Sequence, residues 1–481
     1  MIDPAAAAIL RTECYVDGRW IGAPERFAVD DPATGDTLAR VPELPDGAID
    51  AAIEAAHRAL PAWRARSAYD RASCLAALAA RMRADEAALA QLVTAENGKP
   101  LSESVAEIRY AASFLEWFAG EAVRAYGELI PATRADQRIA VRREPIGVCA
   151  LITPWNFPAA MLTRKLGPAL AVGCTVVAKP AEETPLTTLA LAAMSEAVGI
   201  PPGVFNVVTG DGARVGGRIV DDPRVRKVSF TGSTEVGRII AAQCARAPKR
   251  VSLELGGNAP FVVFADADLD ATIAGALIAK YRNTGQSCVA ANRFLVERPI
   301  YDDFTQRIAR ASSSLVVGDG RAPGAQIGPL INADAVAKVR RLCKDAIDRG
   351  ARLVLGSVPA NESRLIAPIV LTDVTSDMAI WREEIFGPVV AIGPFDGEDD
   401  AIELANDTEA GLVAYVWTRD AGRIERLSSA IETGMIGVNE GLISTAQAPF
   451  GGIKASGQGR EGSRHGLDDY TELKYIMQRI G

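Results

Sequence analysis

Residues 225–257 read VRKVSFTGSTEVGRIIAAQCARAPKRVSLELGG. A run rich in β-branched residues ends at Phe230, a Thr-Gly-Ser turn follows, a helical stretch comes next, and a second such run closes on Glu254 before paired glycines. Strand, turn, helix and strand in that order build a parallel sheet with helices packed on it. The pattern continues upstream in VCALIT (148–153), CTVVAKP (174–180) and FNVVTG (205–210). Downstream it resumes in PFVVF (260–264), RFLVE (293–297), ARLVLG (351–356), PIVLTDV (368–374), PVVAIG (388–393) and MIGVNEG (435–441). Near-continuous apolar strands of this kind are buried on both faces. Gly256-Gly257 divides the alternation into two series, so we expect two doubly wound parallel-sheet α/β domains.

The rest of the chain is organised differently. Cys14 to Ile21 reads as a hairpin about Asp17-Gly18, a favoured turn pair. Four helical patterns run from about 46 to 126; in the last, Leu101, Val105, Ile108, Ala112, Leu115, Ala119 and Ala122 recur at three-four spacing. Residues 128–145 are extended, polar and β-like, an arm more than a core element. The expected division is 1–127 with 146–254 for one domain, 255–452 for the second, and 128–145 with 466–481 for a small β arm. No repeat of fixed period is present.

Composition removes several classes of function. The 481 residues are 48% hydrophobic and 23% charged, with a net charge of −8, so this is an ordinary globular chain with no basic stripe for nucleic acid. Its longest apolar stretches are cut by Lys and Arg and are too short to span a bilayer. The start, MIDPAAAAILRTE, puts an acid before a short apolar run and lacks the basic region of a signal peptide, which makes the cytoplasm the expected compartment. Seven scattered cysteines without a CxxC pair speak against a disulfide framework or a zinc knuckle. The two histidines, His57 and His465, stand near no nucleophile motif, which opposes histidine-based catalysis.

Several residues stand out chemically. Gly457-Gln458-Gly459-Arg460-Glu461-Gly462 matches GxGxxG, yet it follows no strand pattern and lies too close to the C-terminus for a dinucleotide fold, so it is expected to be a mobile loop. Gly232 and Ser233 are the better phosphate candidates, because they end a strand and open a helix. Cys288, in NTGQSCVAANR, is the only cysteine flanked by glycine and polar residues, whereas most free cysteines are small buried hydrophobes. Glu254 ends an apolar strand, where a carboxylate is costly unless it caps, pairs or works. Asn156 follows a strand between two prolines, as either a turn former or a functional amide.

Together these segments resemble the aldehyde dehydrogenase superfamily. The motifs occur in order along nearly the whole chain: TPWNFP (153–158), KPAE (179–182), FTGS (230–233), LELGG (253–257), GQSC (285–288), EEIFGP (383–388) and PFGG (449–452). The resemblance implies an aldehyde dehydrogenase-like fold with a dinucleotide-binding domain, a catalytic domain and an oligomerisation arm, hence a homo-oligomer, dimer or tetramer. Cys288 would attack the aldehyde to give a thiohemiacetal and then a thioester, Asn156 would hold the oxyanion, and Glu254 would activate water. NAD is the implied cofactor, with NADP possible. Thr153, Trp155, Lys179, Glu182, Gly232, Ser233, Glu384 and Phe386 match the family's cofactor positions, with Glu182 accepting from ribose hydroxyls. No metal is required.

Arg164 and Arg282 stand where relatives acting on apolar aldehydes tend to carry aromatics, and Ser444 lies on a third approach to the same funnel. The trio resembles succinate-semialdehyde dehydrogenases, as does the closing GREGSRHGLDDYTELKY, so the expected reaction is succinate semialdehyde to succinate, with glutarate semialdehyde or another aldehyde as the alternative. Position 290 is Ala where some relatives have a second cysteine, so no disulfide switch is available there. Readings from other classes are a cysteine hydrolase or acyltransferase on the same nucleophile, and a catalytically silent binding protein on the same fold.

Overall fold

The computed structural model describes residues 3–360 and 363–480. Its first sheet has eight strands, and the five in the middle run parallel: Phe205–Val207, Thr175–Lys179, Val148–Ile152, Val225–Thr231 and Arg250–Glu254, in that spatial order. Numbered along the chain, that order is third, second, first, fourth, fifth. The direction of winding therefore reverses between Val148–Ile152 and Val225–Thr231, and ligand crevices open beyond the carboxyl ends of strands at such a reversal. The turns that follow these two strands carry TPWNFP and TGS.

Both edges of this sheet are antiparallel. The Cys14–Val16 and Arg19–Ile21 hairpin covers one, as expected for Asp17-Gly18. At the other, Gly457–Gln458 pairs with Leu253 and Glu254. The GxGxxG segment is thus an ordered edge strand and not a mobile loop. Its glycine answers a packing demand: at φ +115°, a Cβ on Gly457 would run into the Leu253 carbonyl.

The second sheet has seven strands in the order Arg352–Leu355, Ile369–Thr372, Val389–Phe395, Ala291–Glu297, Ala259–Val263, Val413–Trp417 and Met435–Val438. All neighbours are parallel except the edge strand Arg352–Leu355. Val413–Trp417, the strand absent from the sequence series above, lies beside Ala259–Val263 and is fully buried. Four helices, Asp46–Ala65, Ala68–Ala84, Glu86–Asn97 and Leu101–Ala122, match the four N-terminal patterns. The last packs on Pro158–Val172 through Phe114, Leu115 and Phe118. A three-stranded sheet joins Glu128–Ile130, Gln137–Pro145 and Thr471–Arg479. It leaves Leu129 87% and Leu473 65% exposed, with Tyr475 and Met477 also open. Among the described residues no helix is long and apolar enough to cross a membrane.

Candidate active site

The two sheets meet at a cavity of about 340 Å³ lined by Trp155, Asn156, Gly232, Ser233, Glu254, Cys288, Glu384 and Phe386, among others. Trp155, Asn156, Gly232, Ser233 and Glu254 come from strand ends of the first sheet or the loops after them, whereas Cys288, Glu384 and Phe386 come from segments that lead into strands of the second. Asn156 follows the strand at the winding reversal, Ser233 is the N-cap of helix Thr234–Arg246, and Glu254 is the last residue of Arg250–Glu254. Cys288 follows a short turn of 3₁₀ helix, Arg282–Gly285, that precedes strand Ala291–Glu297. Gly257 must be glycine, because its Cβ would strike the Cys288 carbonyl.

The turn before Cys288 is strained. Asn283 (φ +51°) and Thr284 (φ +60°) both sit in the left-handed region. Asparagine tolerates it, but for a β-branched threonine it is a true outlier. Such backbone costs of order 1–3 kcal/mol per residue and persists only when its surroundings hold it. Here Asn283 Nδ2 donates to the Asn156 carbonyl (2.9 Å), and Thr284 Oγ1 accepts from Gly328 N (3.0 Å). Gln286 Oε1 also accepts from Ile331 N (2.9 Å). Asn156 Nδ2 donates to the Gln286 carbonyl (3.1 Å), which fixes the amide and leaves its second N–H unused.

A buried cation supports the same turn from behind. Lys99 Nζ donates to the Asn156 carbonyl (2.6 Å) and to Glu107 Oε2 (2.6 Å), with neither charged side chain exposed. Glu107 Oε1 in turn accepts from Ala159 N (2.9 Å) and Ala160 N (3.3 Å), at the start of helix Pro158–Val172. A carboxylate there meets unpaired backbone donors and the positive end of the helix. Sequence reading passed over Lys99 and Glu107. Glu107 stands one turn before Ala111 on the buried side of its helix, where an acid is costly unless paired, but Lys99, in the polar stretch ENGKPLSES, carries no such signal.

Burial shifts the titration of both Cys288 and Glu254. Burial pushes the Cys288 thiol up to about 12, against the pull of the Arg164 charge. Burial also raises the Glu254 carboxyl well above its usual range; Glu461 raises it further, while Arg164 and Lys165 oppose the shift. Neither Glu254 oxygen has a hydrogen-bond partner. A buried acid with both oxygens free, in a cavity with a cysteine, is the mark of a group kept for a reaction. Among the described residues no group of three or more His, Cys, Asp or Glu side chains is placed to hold a metal ion. Neither histidine lines this cavity.

The other expected cofactor residues divide in two. Glu384 lines the cavity and accepts from Gly257 N (3.0 Å), and Phe386 packs edge-on to Trp155 with centroids 5.5 Å apart. The Ser233 hydroxyl caps its own helix at Val236 N (3.3 Å). Thr153, Lys179 and Glu182 do not line the cavity. Thr153 N bonds the Lys179 carbonyl (3.1 Å), and Lys179 Nζ pairs with Glu182 (2.8 Å) beyond the neighbouring strand, close to Gly212.

The substrate candidates also separate. Arg282 and Ser444 line a second cavity of about 430 Å³ with Tyr110, Leu277, Ile278 and Leu442, and Arg282 Nη1 donates to Ser444 Oγ (3.3 Å). Among the described residues no carboxylate forms an ion pair with Arg282; its guanidinium lies over the Phe157 ring at 4.6 Å. Arg164 lines neither cavity. It is buried at 1% exposure, pairs through Nε with Glu461, which also takes Lys165, and stacks over Phe450 at 4.4 Å. Its Nη2 is buried without a partner.

Comparison with known proteins agrees with this geometry. The model of the aldehyde dehydrogenase family matches residues 20–476. The glutarate-semialdehyde dehydrogenase of Pseudomonas aeruginosa is 51% identical over 98% of both chains. The succinate-semialdehyde dehydrogenase of Escherichia coli, an NADP(+) enzyme by its name, is 52% identical over 97% of this chain and 98% of its own. The 3-sulfolactaldehyde dehydrogenase of Pseudomonas putida is 49% identical over 99% of both. The crystal structure of succinate-semialdehyde dehydrogenase from Burkholderia pseudomallei superposes with a TM-score of 0.97 at 50% identity, covering 100% of each chain. A cysteine hydrolase or acyltransferase and a catalytically silent binding protein find no support in these matches. The chain belongs to the aldehyde dehydrogenase family.

Proposed function

We propose that this NAD(P)-dependent aldehyde dehydrogenase oxidises a short aldehyde carrying a distal acid group, succinate semialdehyde first and glutarate semialdehyde second. The observation that carries the substrate reading is Arg282, a cation with no acidic partner among the described residues, tied to Ser444 in a largely apolar cavity. An unpaired guanidinium there matches a carboxylate. The three relatives named above act on aldehydes that bear a carboxylate or a sulfonate.

The residues around the first cavity fit a nicotinamide dinucleotide. A helix N-terminus opens at Ser233 beside the winding reversal, Trp155 and Phe386 offer aromatic surface, and the Lys179–Glu182 pair lies further along the sheet edge. When bound, the dinucleotide accepts the two electrons of the oxidation. The chain's residues do the rest. Cys288 gives up its proton to solvent and adds to the aldehyde carbon, forming the S–C bond as the C=O π bond opens, and the free N–H of Asn156 with the Cys288 amide holds the oxyanion. One such donor is typically worth about 3–4 kcal/mol. Oxidation leaves a thioester on Cys288. Glu254 then takes a proton from water, which adds to the thioester carbon; the C–S bond breaks, the acid leaves and the thiol returns. General base assistance of this kind contributes about 10²–10⁴-fold.

NAD is preferred over NADP in this reading, because a 2′-phosphate would bring like charge to Glu182. The exposed apolar face of the three-stranded arm supports a homo-oligomer built through it. The test of function is a comparison of kcat/KM for succinate semialdehyde, glutarate semialdehyde, 3-sulfolactaldehyde and butanal. Succinate semialdehyde should lead and butanal trail by about 10²-fold or more, from two hydrogen bonds to a charged group. Equal use of butanal would overturn the substrate reading.

A further inference from the structure

We infer that Tyr110 is a specificity-determining residue whose hydroxyl donates to the distal acid group of the substrate, between Arg164 and Arg282. This rests on the substrate reading above and adds a residue to it. Tyr110 projects from helix Leu101–Ala122, with its ring edge-on to Phe114 (centroids 4.7 Å, 61°). That contact and the helix backbone fix where the hydroxyl sits. Tyr110 lines the same cavity as Arg282 and Ser444, and the Arg282 guanidinium lies 6.0 Å from its ring centre. Its hydroxyl is buried and faces the Arg164 guanidinium without a well-formed hydrogen bond. Arg164 Nη2 is buried and unmatched as well.

Buried polar groups without partners are rare and costly, so each asks for an explanation. Arg164 Nη2 can only donate, and the phenol, kept neutral because burial raises it, carries a proton to give. A ligand that satisfies both must present acceptor oxygens. Arg282, which also lies against Tyr110, adds a second positive charge, and the two acids that line the same cavity are already engaged, Glu103 by Asn283 N and Glu107 by Lys99, so the ligand that fits is an anion. A carboxylate or a sulfonate meets both conditions, whereas a neutral aldehyde tail meets neither. Tyrosine suits this position better than another cation would, since Arg282 already lines the space and Arg164 stands buried beside the hydroxyl, where Glu461 offsets it.

The test is Tyr110→Phe, which removes one oxygen and keeps the ring. For succinate semialdehyde, kcat/KM should fall about 10-fold or more, chiefly through KM, as expected when a bond made equally in ground and transition states is lost. Butanal should change by less than about twofold, and inhibition by succinate should weaken by the same factor as the loss in kcat/KM. Thermal stability should change little, because the ring and its packing on Phe114 are kept. A wild type with no preference for succinate semialdehyde over butanal overturns the substrate reading and the role of Tyr110 with it. A wild type that discriminates, matched by a Phe variant that discriminates equally, overturns Tyr110 alone. Parallel losses on both substrates assign Tyr110 to packing and overturn the inference too.

Discussion

Replacing Arg282 by Met removes a charge while keeping an unbranched apolar stem against Phe157. Arg282 is half-buried and hydrogen-bonded only to Ser444 Oγ at 3.3 Å, so the change strands no acidic partner. Its stacking on Phe157 at 4.6 Å is worth about 0.5–1 kcal/mol of stability at most, a loss felt equally with every substrate. What differs between substrates is the bond to a distal carboxylate, about 1.5–3 kcal/mol for a hydrogen bond to a charged group. That range is roughly 10- to 150-fold in kcat/KM. The assay is initial-rate formation of reduced nicotinamide with succinate semialdehyde and with butanal, wild type against variant. Succinate semialdehyde should lose at least about tenfold and butanal less than about twofold. An unchanged ratio would refute the clamp. Arg164 is a poorer first choice, because breaking its buried pair with Glu461 would cost about 3–5 kcal/mol and mix folding with binding.

Cys288→Ser should abolish turnover while dinucleotide binding, followed by fluorescence quenching, survives; measurable steady-state oxidation would remove Cys288 as nucleophile. Glu254→Gln should give a burst of reduced nicotinamide followed by slow turnover. In the wild type the raised carboxyl must lose its proton to act, so the deacylation rate should climb with pH through that raised value, and the climb should vanish in the Gln variant. Glu182→Ser should raise kcat/KM for NADP relative to NAD by about tenfold or more if like-charge repulsion sets the preference. Leu129→Glu with Leu473→Glu should lower the oligomeric mass in light scattering while the far-UV circular dichroism stays native; an unchanged mass would separate the arm from assembly.

Strand alternation made the two sheets legible, because strands buried on both faces leave runs such as VRKVSF and PVVAI that few other environments tolerate. The edges were less legible. Gly457–Gln458 carries no strand signal, since its pairing with Glu254 is dictated by a neighbour two hundred residues away in sequence and by the space over Leu253. Val413–Trp417 is as long as Val148–Ile152, so its length does not explain the omission; its pairing with Ala259–Val263 and Met435–Val438 identifies it. Motifs named most residues of the first cavity, because strand ends at a winding reversal confine where such groups can stand. They could not show that Arg282 lines a cavity while Arg164 is buried against Glu461 and Phe450, which depends on segments distant in the chain.

The charges that motif reading missed explain how the cavity keeps its shape. Lys99 and Glu107 hold the Asn156 turn from one side, and Glu461 holds Arg164 and Lys165 on the other, where Glu254 feels all three. Each web takes its acid from a different element: helix Leu101–Ala122 supplies Glu107, and the loop after Gly457–Gln458 supplies Glu461. Both anchor on helix Pro158–Val172 or on the turn that precedes it, at Ala159 and Ala160 for one and at Arg164 and Lys165 for the other. That helix therefore cannot slide or rotate without exposing a buried charge to an apolar wall, and isolated charges in such surroundings are costly by several kcal/mol each. The same two webs leave Glu254, Asn156 and Arg164 each with an unmatched polar atom facing inward. Rigid pairing outside and open valences inside are two results of one arrangement: the paired charges fix the positions from which the unpaired atoms can meet a substrate without first reorganising.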